Sequence, residues 1–385
     1  MTPYQDWDPR APEVLADPIA AYDRMRERCP VAHSDYLHHS VFRHADVMRI
    51  LQDHTTFSSQ ASRFVSVPNS MDPPEHTAYR AAIEPYFNAT RMAEFEPTCR
   101  QICAELVAAL QHNASTEIMF GLAHPFALRM QCAFLGWPKT LYEPLLQWIN
   151  KKNVATLSGD AHAIAAVATE FDQTIRDLLK VRRQAGDQAP DDATTRLMHE
   201  TVNGKPLTEE EIVSILRNWT VGELGTMASS VGIIAYYLAA HPALQDQLRH
   251  DPSLVRAAND EILRIHAPLI ANRRTPTCPV RVGAAQIQAG ERLTLIWASA
   301  NRDEAVFGDP DEFRLDRDPA LNLLYGVGIH ACPGAPLARL ELEAMIQALL
   351  AGTRHLEPSD EHPPMPAIYP ASGYRQAILM IRHDD

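Results

Sequence analysis

From Thr208 to Ala240 the chain carries one mostly apolar helical pattern, and that stretch narrows the folds open to it more than any other. Its start is marked by Leu207-Thr208-Glu209-Glu210-Glu211, with a capping threonine three residues before a glutamate. That arrangement satisfies two free amides at a helix N-terminus reciprocally. His241-Pro242 marks the end, since proline cannot continue the hydrogen-bond ladder. A helix roughly three times the average length and apolar on most of its surface belongs inside a large body. Further helical spacing runs over 90–111 once Pro97 is passed, and over 161–185, before a polar loop at 186–195. Strand signals are short: Ser40–Phe42, Val280–Val282, Arg292–Ile296 and Gln376–Ile381. The expectation is a mainly α fold with a small β part. No repeat or linker divides residues 1–385, so a single domain is expected.

Charge and cysteine usage exclude several function classes. The 35 basic and 48 acidic residues give a net charge of −13 with no basic stripe, which argues against nucleic acid as a partner. The opening MTPYQDWDPR lacks the basic and apolar run of a signal peptide. The longest apolar run, Val231–Ala240, is about half of what spans a bilayer. A soluble cytoplasmic protein with no membrane partner is expected. Six cysteines are scattered without a CxxC pair, and Cys99 and Cys103 read as small buried residues on one helical face. Cysteine chemistry, if any, rests on one residue.

That residue is Cys332, in Tyr325-Gly-Val-Gly-Ile-His330-Ala-Cys332-Pro-Gly334. Gly326 to Ala331 matches a dinucleotide-binding glycine pattern on paper, but no β-branched strand precedes it and no second βα unit follows. The glycines instead allow a tight loop around the cysteine. Pro333 and Pro336 then open a helix with apolar residues at Leu337, Leu340, Ala344, Met345 and Ala348, closed by Gly352. Cys332 therefore stands at a helix N-terminus, where free amides stabilise a thiolate. A structural cysteine, a nucleophile and a metal ligand all remain open on this evidence. His330, two residues away on the same loop, is poorly placed as a base for a nucleophile.

The segment 325–334 resembles the haem-binding loop of the cytochrome P-450 family, whose cysteine is the axial iron ligand. Other pieces match in order: Glu261-Ile-Leu-Arg264, Asn301-Arg302-Asp303 before Phe307-Gly-Asp-Pro310, Asp72-Pro-Pro-Glu-His76-Thr-Ala-Tyr-Arg80, and the early helix from Asp46 to Ser58. The resemblance covers nearly the whole chain. It implies the cytochrome P-450 fold, with haem b (iron protoporphyrin IX) between the long central helix and the cysteine-loop helix. It implies Cys332 as the metal ligand, and His76, Arg80, Arg274 and His330 as partners of the haem propionates. Glu261, Arg264 and Arg302 would be scaffold beneath the cysteine loop.

In this family the central helix carries the oxygen chemistry, and Thr226 falls at its catalytic threonine. Gly225 stands where an acid is expected. Glu223, three residues before Thr226, would share its helical face and serve as the substitute carboxylate; a structural carboxylate is the alternative. Gly222 and Gly225 each weaken the helix by ~1 kcal/mol against Ala, as a local opening over the iron requires. Tyr325 replaces the family's usual Phe and would bring a hydroxyl near the loop.

The implied function is a bacterial haem-thiolate monooxygenase, an oxidoreductase inserting one oxygen atom from dioxygen into a small to medium hydrophobic or aromatic substrate by hydroxylation or dealkylation. Residues 1–385 would form its single catalytic domain. With no flavin, nicotinamide or iron–sulfur motif and no fused reductase in the sequence, electrons would come from NAD(P)H through a ferredoxin or flavodoxin and its reductase. A monomer is expected. A peroxide-driven peroxygenase and a non-catalytic haem sensor are the alternatives. Val65–Met71 and Gly222–Thr226 are similar to the haem domains of reductase-fused bacterial members. The pocket segments would be 64–71, 213–226, 268–272 and 369–374, mostly apolar with Glu223 as their main charge.

Overall fold

The computed structural model describes residues 6–61, 66–111 and 114–382. Phe64 and Val65, at the start of one expected pocket segment, lie outside them. The chain is mostly helical, and the central helix does run through its middle. It comprises Glu209–Gly222, a wider π-helical turn at Glu223–Met227, and Ala228–Ala240. Thr208 and Glu211 form the reciprocal cap at its start. Nearly every side chain from Met227 to Ala235 is buried, so tertiary packing sustains a helix that two glycines would otherwise weaken.

Three helices surround this axis. Ala89–Ala108 lies along Ala335–Gly352, the helix after the cysteine loop, and also packs on His124–Leu135, which in turn touches the π-helical turn. The first of these starts at Asn88, whose side chain accepts from the Arg91 amide at 2.9 Å, and it runs straight through Pro97. Proline is tolerated there because it lies on the solvent side of the helix. The helix Ala161–Ala185 has the expected bounds.

The main sheet has five strands in the order Val31–Ser34, His38–Val41, Leu293–Ile296, Ala271–Pro276 and Phe57–Ser58. Its pairs are antiparallel except for His38–Val41 with Leu293–Ile296. Val31–Ser34 and Ala271–Pro276 were not legible as strands: each is short, and the second carries Asn272, Arg273 and Arg274 in succession. A smaller sheet joins Ala114–Glu117, Ile378–Arg382 and His355–Pro358. Among the described residues no single helix is long and apolar enough to cross a membrane.

Candidate functional site

The cysteine loop is held by backbone geometry that its glycines alone permit. The Cys332 amide donates to the Tyr325 carbonyl at 2.8 Å, closing the loop on itself. Gly326 and Gly328 have φ of 68° and 74°, the left-handed region where a side chain is strained. A Cβ on Gly328 would also sit 2.5 Å from the Leu51 carbonyl oxygen, a backbone atom that cannot swing away. The helix begins at Ala335, and the amides of Gly334 and Ala335 favour the ionised sulfur, as does Arg80. Burial still pushes the thiol up overall. The residue is nevertheless exposed; both hold for a sulfur that opens onto an internal cleft walled by protein.

The central helix has open space beside it too. A Cβ added at Gly222 or Gly225 would meet nothing within 4 Å, although the adjoining turns are buried. The π-helical turn coincides with the expected opening, and the Thr226 hydroxyl donates to the Gly222 carbonyl at 2.5 Å.

A third wall is cationic. The rings of His76 and His330 lie 4.3 Å apart, centroid to centroid, and the Nε2 atoms of both are buried without a hydrogen-bond partner. Burial pushes His330 down to about 3, helped by His76 and Arg274. Burial lowers His76 as well, helped by Arg80. Arg274 is only 4% exposed, and burial depresses it to about 10. Its guanidinium donates to the neighbouring Arg273 carbonyl at 2.7 Å. Arg80 bonds Glu84 at 2.8 Å and the Ala331 carbonyl at 2.5 Å. Asp72 is the nearby carboxylate, and it is already engaged by Ser58 and the Ser59 amide. Among the described residues Arg274 thus forms no ion pair, and the two imidazole nitrogens beside it have no hydrogen-bond partner. Such an arrangement calls for an anionic group, since buried charge is tolerated only when paired.

A sequence profile described as Cytochrome P450 matches residues 105–375. The chain belongs to the cytochrome P450 family. It is 31% identical over 343 residues to cyclomarin C epoxidase CymV of Salinispora arenicola, covering 84% of this chain and 86% of that protein. It is also 31% identical to erythromycin C-12 hydroxylase of Saccharopolyspora erythraea, covering 96% and 94%. The solved structure of cytochrome P450 CYP109Q5 from Chondromyces apiculatus superposes with a TM-score of 0.84 at 28% identity, over 97% of each chain. This cytochrome P450 is accordingly an oxidoreductase of the monooxygenase class, and the family's cofactor is a haem with a cysteine thiolate on its iron. The exposed sulfur, the open flank of the central helix and the orphaned His76 and His330 nitrogens fit that group.

The scaffold beneath the loop differs in one member from the expected one. Arg264 grips Glu261 through two bonds of 2.8 and 2.9 Å and reaches the carbonyls of Asn301 and Pro310. The second cation on Glu261 is Arg317, at 2.8 Å. Arg302 instead binds Asp23 and Asp311, both at 2.8 Å. Arg317 was missed because it lies in an irregular segment with no periodicity to place it. Tyr325 does bring a hydroxyl to the loop, but it is buried without a partner, with the Arg339 guanidinium 4.5 Å from the ring centroid.

The Thr226 hydroxyl is engaged by the Gly222 carbonyl, not by Glu223. Glu223's carboxyl is buried and faces Glu341 of the cysteine-loop helix, close to Cys99 and near enough to Cys332 to help raise its thiol. Spacing by three residues brings two side chains to one face in an α-helix but less so in the wider π-helical turn that starts at Glu223. Glu341 was legible in principle: it lies four residues after Leu337 and four before Met345, a position that helical spacing gives to the core.

If His76, Arg80, Arg274 and His330 anchor the propionates, each Ala variant should retain haem less well, with Arg274→Ala the worst because it is the most buried arginine of the set. Charge-assisted pairs of this kind make a tenfold or greater loss the reasonable scale. The pyridine haemochrome content after dialysis measures it; wild-type content in all four variants would refute the assignment.

Proposed function

We propose that this chain inserts one oxygen atom from dioxygen into a largely hydrophobic substrate, with Cys332 as the axial ligand of haem b. Residues 1–385 act in this reading as one catalytic domain, monomeric and cytoplasmic in a bacterium. Electrons come from NAD(P)H through a separate ferredoxin or flavodoxin and its reductase. The relatives are named for a hydroxylation and an epoxidation, which supports oxygen insertion at C–H or C=C positions. The observation that carries the reading is the Cys332 loop, with the Gly334 and Ala335 amides aiding the sulfur and four basic groups beside it.

When bound, the haem supplies the dioxygen-binding and O–O-cleaving chemistry, favoured by electron donation from a thiolate. The chain's own residues do the rest. His76, Arg80, Arg274 and His330 neutralise and orient the cofactor's carboxylates. The buried residues around the cleft exclude water. Thr226 holds its hydroxyl at the opening of the central helix, bonded to the Gly222 carbonyl, where it would order water for proton delivery. Glu223, paired with Glu341, leaves that task to Thr226.

The absence of a carboxylate at Gly225 favours a second reading, peroxide-driven turnover, because peroxide already carries the protons that dioxygen reduction requires. The two are separated by product formation with NADPH and a surrogate ferredoxin and reductase against product formation with hydrogen peroxide. The expected result is partner-driven turnover that depends on Thr226, with Thr226→Ala reducing it ~10²-fold or more and sparing the peroxide reaction. Peroxide turnover with no partner-driven product would replace the first reading by the second.

A further inference from the structure

One loop is fastened to the central helix along a single stripe of side chains. The Ala367 amide donates to the Gly373 carbonyl at 2.9 Å, closing 367–373 into a loop. The end of that loop then lies on the helix in step. The Ser229 hydroxyl donates to the Ser372 carbonyl at 2.8 Å. Gly373 has φ of 75°, and a Cβ on it would lie 3.0 Å from the Ile233 side chain. The Tyr374 ring meets that of Tyr236 with centroids 5.0 Å apart. Ser229, Ile233 and Tyr236 are spaced by four and then three residues, so they share one helical face. That face begins three residues after Thr226.

The same loop reaches the chain that leads to the cationic wall. The Ser372 hydroxyl donates to the Ala267 carbonyl at 2.5 Å. Ala267 ends the helix Val255–His266 with φ of 38°, a conformation that an L-residue keeps only where its surroundings impose it. Four residues on, the strand Ala271–Pro276 begins, and it carries Arg274. Ser229, Ser372 and Ala267 therefore form a hydrogen-bond chain from the helix that bears Thr226 to the segment that bears Arg274. Ser229 and Ala267 are buried and Ser372 is half-buried. A helical serine often returns its hydroxyl to the carbonyl four residues back, as Ser230 does to Thr226 at 2.7 Å. Ser229 gives its hydroxyl to another segment instead.

We propose that Ser229 and Ser372 are specificity-determining residues, whose chain fixes the separation of the central helix from the Arg274 segment and so limits the size of the molecule admitted over the haem. This rests on the haem-thiolate reading above and deepens it by naming what sets the upper size of a ligand. A ligand that needs the two walls further apart must break the chain, and its affinity is lowered by what the chain contributes. A ligand that fits without opening gains nothing when the chain is lost.

The test is optical titration of the haem-loaded protein with imidazole, 1-phenylimidazole and 1-(biphenyl-4-yl)imidazole. Each ligates iron through the same ring nitrogen, and the shift in haem absorption reads binding without turnover. In Ser372→Ala and in Ser229→Ala the biphenyl probe is expected to bind roughly threefold or more tighter than in wild type, the scale on which one hydrogen bond acts. Imidazole needs no opening, so its affinity should not change; its binding also shows the haem in place, which separates failure of the chain from failure of the haem reading. Ser372→Thr keeps the hydroxyl and should keep the wild-type size preference. Gly373→Ala crowds Ile233 and strains the left-handed turn, so it should reproduce the gain with both hydroxyls present. The double serine variant should gain little beyond the better single one, since a chain broken once is already open. Unchanged biphenyl affinity in both alanine variants, an equal gain for imidazole, or a threonine variant that behaves as alanine would each overturn the proposal.

Discussion

Cys332→Ser is expected to abolish the thiolate signature and monooxygenase turnover together while leaving the fold in place. The loop does not depend on sulfur for its shape: the bond that closes it runs from the Cys332 amide to the Tyr325 carbonyl, and the left-handed turns belong to Gly326 and Gly328. Serine is smaller by little and opens onto the same cleft. The apo-protein should therefore unfold within about 1 kcal/mol of wild type, the usual scale for a change that creates no cavity. The reduced, carbon monoxide-bound spectrum should lose its long-wavelength thiolate band entirely, since an alcohol is a far weaker donor to iron than a thiolate. No other cysteine can substitute. Cys99, Cys103 and Cys132 are buried in the helical bundle, and Cys29 and Cys278 lie in the sheet region away from the loop. A surviving thiolate band would mean that sulfur ligation has been placed on the wrong residue.

Much of this architecture was legible because its punctuation is chemical. Thr208 with Glu211 and His241-Pro242 bound the central helix at the positions the structure shows, and Gly352 ends the cysteine-loop helix. Cys332 was singled out by the glycines around it and by the helix that follows. The convergence of His76, Arg80, Arg274 and His330 was not readable from spacing, since these residues are up to 254 positions apart; only the resemblance gathered them, and the 4.3 Å ring contact between His76 and His330 then joins the two segments. Strands were legible at Val280–Val282 and around Ser40, Leu293–Ile296 and Ile378, whereas Val31–Ser34 and Ala271–Pro276 escaped because four to six residues offer little alternation and the run Asn272–Arg274 masks it. Arg317 and Glu341 escaped for different reasons. The first lies in irregular chain, while the second is an acid inside an apolar helical stripe and reads as an exception to that stripe.

The Glu223–Thr226 relation shows where periodicity itself fails. The expectation assumed an α-helical rotation per residue, and Gly222 and Gly225, which were the reason to expect an opening, are what let the helix widen there. The wider turn changes the rotation between the two residues, and the carboxylate faces Glu341. Among the described residues no cation acts on the pair of acids, Glu223 and Glu341, to stabilise two charges. Burial is the main reason that both are raised, Glu223 to about 8 and Glu341 well above the ordinary range. Two like charges in contact cannot both ionise in such surroundings.

This pair makes the protein's stability pH-dependent in a direction opposite to that of ordinary salt-bridged carboxylates. In the unfolded chain both acids titrate near 4.5; in the folded protein they keep their protons to higher pH. Between about pH 4.5 and 8 the native state binds more protons than the unfolded state, so stability falls as pH rises through that window. Each unit of difference is worth about 1.4 kcal/mol, which puts the combined effect at several kcal/mol. Glu223→Gln and Glu341→Gln keep the shape of the pair and remove its titration. Each should flatten the decline measured by urea denaturation between pH 5 and 8, and the double variant should flatten it most. With the carboxyl facing Glu341, Glu223→Gln should also leave the fraction of NADPH electrons recovered in product within about twofold of wild type. Positioned proton transfer is worth ~10²–10⁴-fold in rate, so a relay role would show as a far larger loss. Unchanged pH dependence together with collapsed coupling would move Glu223 from the core of the bundle to the oxygen chemistry, and would require its side chain to swing toward Thr226 during turnover.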